Sequence, residues 1–212
     1  QRLPTGVAAG MPKLEFFFDC SSPWTYLAFT RVHDIAAAAG AEIVWRPILV
    51  GGVFNAVNPA VYERRANPDA RQRRYYDKDM QDWARLCGVA IKWPPSVFPV
   101  NAVAAMRGAY AALDAGRLVP YATAVFEAYW GRDRDISDRA VLKDCAEAAG
   151  MDGAAFVAAL DDPALKARLR AATDELVARG GFGSPTMFIG DDMYFGNDRL
   201  PLVAAALSGA AR

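Results

Sequence analysis

The run Lys13 to Asp19, KLEFFFD, is a short block of apolar and aromatic residues closed by a polar one. Its length and aromatic content predict a buried strand rather than a helix. Cys20-Ser-Ser-Pro23 follows and supplies a helix start, with Ser22 at the cap and Pro23 at the first helical position, where a missing N–H costs nothing. The helix it opens runs to about Gly40. Glu42 to Arg46, EIVWR, reads as a second strand, and the strand–helix–strand order predicts a parallel pair. Pro47 to Pro68, with its glycines, asparagines and prolines, predicts loop. From Asp69 to Arg179 the pattern turns helical, dominated by Ala, Leu, Arg and Glu. Helices are predicted over Arg71 to Leu86, Asn101 to Ala115, Tyr121 to Trp130, Asp138 to Ala149 and Pro163 to Arg179. Gly150 and Gly180 act as stops, and Trp93 to Pro99, with three prolines, is an irregular link. After Gly180-Gly-Phe-Gly-Ser-Pro185, the runs Thr186 to Ile189 and Met193 to Phe195 flank a Gly-Asp-Asp turn and predict a hairpin. Leu200 to Leu207 is the last predicted helix.

The order of elements, βαβ, a helical block, then helix, hairpin and helix, predicts an α/β chain of thioredoxin-like architecture with an all-helical insertion. Residues 11–60 and 163–212 form the thioredoxin-like part in this reading, and residues 61–162 the inserted subdomain. A doubly wound dinucleotide-binding sheet would call for a glycine-rich turn after the first strand. The turn here is Cys-Ser-Ser-Pro.

Composition narrows the function classes. With 53% hydrophobic and 23% charged residues the chain is an ordinary folded protein and disorder is excluded for most of it. At 212 residues it can bury about 70% of its unfolded surface and needs no metal or disulfide to hold a core. Twenty-four Lys and Arg against 24 Asp and Glu cancel, and only Arg71 to Arg74 is a basic run, which argues against a nucleic-acid partner. No apolar run approaches the roughly 20 residues of a membrane span. The first residues, Gln1 to Gly6, lack the apolar stretch of a secretion signal, so a cytoplasmic protein is expected, with residues 1–10 read as an extension ahead of the domain. Three cysteines at wide spacings, Cys20, Cys87 and Cys145, indicate neither a disulfide framework nor a metal site. The single histidine, His33, sits in an apolar helical stretch and reads as structural.

Three short segments carry candidate chemistry. Ser22-Pro-Trp-Thr25 occupies the strand–helix junction where thioredoxin-like proteins hold a CxxC. Hydroxyls stand at both cysteine positions, so thiol–disulfide exchange by that route is excluded. Ser22 is then either a simple helix cap or a donor beside a helix N-terminus, suited to holding another molecule's thiolate. Ser184-Pro185, before a strand, is either a turn or the cis-proline of a thioredoxin fold, whose preceding backbone faces the active centre. Asn197 and Asp198 open the last helix, as caps or as acceptors for a ligand's ammonium group.

Taken together, Lys13 to Ala28 around Ser22-Pro23, Trp45 to Phe54, Trp130-Gly131 and Phe182 to Leu200, with its Gly-Ser-Pro and Gly-Asn-Asp-Arg motifs, resemble the 2-hydroxychromene-2-carboxylate isomerases. These are relatives of the kappa-class glutathione transferases in the DsbA-like branch of the thioredoxin fold. The resemblance spans Lys13 to Leu207 and is most specific at its two ends. It implies a bacterial, dimeric, glutathione-dependent isomerase of aromatic-hydrocarbon degradation, as in naphthalene catabolism. Such an enzyme interconverts 2-hydroxychromene-2-carboxylate and trans-o-hydroxybenzylidenepyruvate. It assigns Ser22 to the glutathione sulfur and matches Asn58, in a loop one residue shorter than usual, to a family asparagine. Ser184, before Pro185, matches the residue that pairs with the cysteinyl backbone, and Asn197 and Asp198 the pair holding the γ-glutamyl end. Trp24, Phe54, Trp83 and Trp93 are the expected apolar walls for an aromatic substrate. Two positions depart from the family: a lysine is replaced within Arg71 to Arg74, leaving open which basic residue meets the glycyl carboxylate, and Cys20 stands where an apolar residue is usual and is expected to point into the core. A kappa-like transferase or peroxidase, and a redox-inactive binding module, are the rival readings.

Overall fold

The computed structural model describes residues 10–209, so nine of the ten residues read as an extension lie outside it. Four strands, β1 (Lys13–Phe18), β2 (Glu42–Pro47), β3 (Thr186–Ile189) and β4 (Asp192–Phe195), make one mixed sheet in the order β2-β1-β3-β4. β1 and β2 are parallel, with Phe16 opposite Trp45, and α1 (Pro23–Ala38) connects them as predicted. β3 lies antiparallel to β1 and forms a hairpin with β4. β1 is central and covered on both faces, which is why its apolar residues run consecutively instead of alternating. Phe18 meets Phe29 of α1 at 6.4 Å between ring centres. Phe17, pointing the other way, lies 5.7 Å beneath the guanidinium of Arg179, which follows α9 (Pro163–Ala178).

Between β2 and α9 the chain forms α2 (Val50–Val57), α3 (Ala60–Ala66), α4 (Ala70–Cys87), α5 (Val103–Asp114), α6 (Leu118–Phe126), α7 (Arg139–Ala148) and α8 (Gly153–Ala159); α10 (Leu200–Leu207) follows β4. The loop expected over Pro47 to Pro68 is corrected to the two helices α2 and α3. The reason is tertiary. The N–H groups opening α2 are capped by side chains remote in sequence: Leu49 N–H donates to Thr173 Oγ1 at 3.0 Å and Val50 N–H to Asp19 Oδ2 at 2.8 Å. Gly52, a helix breaker by propensity, is what brings α2 against α9, since a Cβ there would sit 3.2 Å from the Thr173 methyl.

Two further differences concern the helical block. α6 starts three residues before Tyr121 and ends in a π-helical turn, Glu127–Gly131, in which the fully buried Trp130 donates its indole N–H to the Cys20 carbonyl at 2.9 Å. α8 was not predicted; Asp152 caps it through Ala155 N–H. His33 packs on Phe29 and Trp45, and burial lowers its pKa, as suits a structural imidazole. Among the described residues no helix is long and apolar enough to cross a membrane, and no group of three His, Cys, Asp or Glu side chains is placed to hold a metal ion.

Candidate functional site

β1 delivers the chain to Asp19, which is completely buried. Its Oδ1 accepts from the N–H and the hydroxyl of Ser21, both at 2.8 Å, and its Oδ2 accepts from Val50 N–H. Burial raises the carboxyl above its ordinary value, and these donors partly offset the rise. Asp19 thereby joins the start of α1 to the start of α2.

Ser22 is the N-cap of α1: its backbone is extended, and its Oγ accepts from Thr25 N–H at 3.2 Å. The same Oγ donates to the Ser184 carbonyl at 3.2 Å, so it is more than a cap. Ser184 Oγ accepts from Asp19 N–H at 3.1 Å and shares a 2.7 Å hydrogen bond with Thr25 Oγ1. The Ser184–Pro185 peptide bond is cis, as the sequence suggested. The two positions that would be cysteines in an oxidoreductase, Ser22 and Thr25, thus both bond to Ser184. Cys20 faces the core; burial pushes its thiol well above the ordinary range, leaving it protonated.

This hydroxyl cluster lies at one end of a cavity of about 1310 Å³. Gly183 keeps the entrance open beside Ser184: a Cβ there would fall 2.8 Å from the ring of Phe195, which packs on Phe182 at 4.6 Å. One wall is aromatic. Trp24, Phe54 and Trp93 line it as predicted, together with Tyr76 and Phe98. Trp24 donates its indole N–H to the Tyr76 hydroxyl at 2.9 Å, and the two rings cross edge to face at 5.3 Å. Trp93 lies between Tyr76 and Phe98 and stacks on Trp130 at 6.1 Å. Asn58 also lines the cavity, its amide donating to the Phe182 carbonyl at 3.3 Å.

The same cavity has a cationic edge that the sequence left open. From the basic run only Arg73 lines the cavity, because Asp69, Gln72, Arg73 and Tyr76 fall on one face of α4 while Arg71 and Arg74 turn away. Arg64 and Arg65 of α3 join it. The Arg65 guanidinium lies 5.5 Å from the Phe54 ring centre and 5.4 Å from that of Phe98. These α3 arginines escaped the sequence reading because α3 itself did. Asp19 carried a local signal, an Asp two residues before a Ser, which points to an Asx turn.

Four expected residues, Trp83, Pro185, Asn197 and Asp198, do not line the cavity. Trp83 lies two turns further along α4 and packs instead against Arg31, whose guanidinium sits 4.8 Å from its ring centre. Asn197 is buried, and its side-chain and backbone oxygens accept from Arg31 at 2.8 and 3.2 Å. Asp198 is exposed, makes no cap bond, and pairs with Arg199 at 2.8 Å. Its carboxylate folds over Gly196, one residue beyond Phe195 on the rim.

The family model of the DSBA-like thioredoxin domain matches residues 13–208. A 2-hydroxychromene-2-carboxylate isomerase of Pseudomonas putida is 32% identical over 94% of this chain and 96% of its own. Glutathione S-transferase kappa 1 of Rattus norvegicus is 26% identical over 92% of this chain and 91% of its own. A solved 2-hydroxychromene-2-carboxylate isomerase superposes with a TM-score of 0.80 at 30% identity, covering 94% of this chain and 96% of that one. The hydroxyl pair in place of a CxxC, the cis-proline beside it and these likenesses agree: the chain belongs to the 2-hydroxychromene-2-carboxylate isomerase family of DSBA-like thioredoxin domains.

Proposed function

We propose that the protein is a glutathione-dependent isomerase interconverting 2-hydroxychromene-2-carboxylate and trans-o-hydroxybenzylidenepyruvate. One observation carries the reading: the Ser22 hydroxyl, at the N-terminus of α1 and within hydrogen-bond reach of Ser184, stands where a disulfide enzyme has its reactive sulfur. The donor set fits glutathione. A thiolate at Ser22 is stabilised by an O–H donor and by the partial positive charge of the helix start. The tripeptide's carboxylates match the cationic edge of Arg64, Arg65 and Arg73, and Asn58 supplies a neutral amide beside them. When bound, glutathione supplies a thiolate that adds reversibly to the conjugated side chain of the substrate, permits rotation, and departs unchanged.

The chain's own residues have three tasks. Ser22 turns its hydroxyl hydrogen from the Ser184 carbonyl to the sulfur, a rotation about one single bond. Ser184 and Pro185 fix an extended backbone edge for the cysteinyl unit. The aromatic wall of Trp24, Tyr76 and Trp93 flanks a planar substrate and excludes water from it. Cys20, buried and protonated, takes no part.

Titration calorimetry with reduced glutathione, followed by a spectral assay on 2-hydroxychromene-2-carboxylate, tests the reading. Binding together with turnover that leaves the glutathione concentration constant supports it. Stoichiometric loss of glutathione to a conjugate would move the protein to the transferase class, and absence of glutathione binding would end both.

A further inference from the structure

Tyr76 was not singled out by the sequence, yet it places a hydroxyl within the aromatic wall. Its ring is crossed edge to face by Trp24 and packed by Trp93 at 5.5 Å, so the phenol has little freedom to tilt. Its oxygen accepts the indole N–H of Trp24. An indole is a donor only, so this bond fixes one lone pair and leaves the phenol's own hydrogen to be donated elsewhere. Among the described residues that hydrogen has no acceptor, and Tyr76 lines the cavity. Burial holds the phenol above its ordinary pKa, so it remains a donor at neutral pH.

We infer that Tyr76 is a second catalytic residue, donating a hydrogen bond to the ketone oxygen of an arylpyruvate-type substrate whose ring lies against Trp24 and Trp93. The inference rests on the isomerase reading and adds the residue that meets the charge developed in the reaction. When an α,β-unsaturated ketone is attacked at its far carbon, the bond to the nucleophile forms as the π pair shifts toward the carbonyl oxygen. When the nucleophile leaves, the pair returns. A fixed O–H donor there is worth most at the moment of greatest charge, and no proton changes hands. Toward the ketone, Trp24 acts through Tyr76 as a positioning residue, in addition to flanking the ring.

The test pairs Tyr76→Phe, which keeps the ring packing, with Trp24→Phe, which removes the donor that orients the phenol. Phenylpyruvate, which carries the ring and the ketone but no conjugated side chain, serves as a dead-end probe read by quenching of tryptophan fluorescence. Tyr76→Phe should weaken phenylpyruvate binding roughly fivefold to tenfold and lower turnover roughly tenfold to a hundredfold, with the glutathione isotherm unchanged. Trp24→Phe should give a smaller loss in the same direction. Wild-type values in Tyr76→Phe for both binding and turnover overturn the inference while leaving the isomerase reading intact. A wild-type protein that binds phenylpyruvate in a Tyr76-dependent way but does not isomerise the chromene discards the reaction and retains the subsite.

Discussion

Around Ser22 every polar group is held by another polar group of the protein. Asp19 accepts three hydrogen bonds, Ser184 bonds to Asp19, Ser22 and Thr25, and Asp19 and Thr25 are completely buried. Along α3 and α4, Arg64, Arg65 and Arg73 also line the cavity; they are exposed and, among the described residues, none has an ion pair. Under the proposed function, the contrast would separate two jobs. A reactive sulfur needs a donor whose position is fixed before the ligand arrives, since reorganising dipoles during the reaction would raise the barrier. A carboxylate needs only positive charge within reach, and exposed arginines supply that at little cost in fold stability.

The most damaging way to break the fixed end is Asp19→Ala. It leaves Val50 N–H and both Ser21 donors without an acceptor, each orphan costing about 1–3 kcal/mol, partly offset by removal of a buried charge. A net loss of about 2–4 kcal/mol, or roughly 5–15 °C in Tm by calorimetry, is expected. A drop of under about 2 °C would mean that the hydroxyl end is no more rigid than the arginine edge. The pH dependence sharpens the same point. The Asp19 carboxyl is raised in the folded state, so folding retains a proton that the unfolded chain releases. Its contribution to stability is therefore greatest below the ordinary value of 3.8 and declines as pH climbs from there through the raised folded value. Asp19→Asn should flatten that part of the profile.

Ser22→Ala tests whether the fixed end serves chemistry or only the helix. Turnover should fall by about one to two orders of magnitude, the worth of a hydrogen bond to a charged group. Because Ser22 also caps α1, stability should fall by about 1 kcal/mol as well. Lost stability with full turnover would reduce Ser22 to a cap. Arg73→Gln, at the exposed cationic edge, should do the reverse. The half-saturating glutathione concentration should rise about threefold to tenfold and the wild-type affinity should weaken with added salt, while Tm stays within about 2 °C.

The smallest effect is expected from Asp198→Ala. Its ion pair with Arg199 is exposed, and its side chain stands one residue outside the rim. Stability should change by less than about 0.5 kcal/mol and glutathione affinity by about threefold or less. A tenfold loss of affinity would extend the binding site past Phe195 to include the turn at Asn197–Arg199.

Much of this molecule is legible along the chain. The buried strand at Lys13, the cap at Ser22 with Pro23 behind it, the long helices and the terminal hairpin follow from periodicity, propensity and capping, which act within a few residues. Ser22, Asn58, Ser184, Pro185, Trp24, Phe54 and Trp93 were all indicated, and all but Pro185 line the cavity. Much of what was not legible has one cause. α2 was read as loop because its caps come from Asp19 and Thr173, 31 and 124 residues away. Trp83 and Asn197 were assigned to the site, but both are held by Arg31, which is 166 residues from Asn197. The Trp24–Tyr76 pair exists only because α4 packs back against α1, and the cationic edge only because α3 and α4 bring Arg64, Arg65 and Arg73 to one cavity. The sequence by itself determined the strands, the long helices and the oxygen chemistry of the strand–helix junction. Only tertiary structure decided which side chains share a cavity, because a local pattern carries no record of the distant donor or ring that will satisfy it.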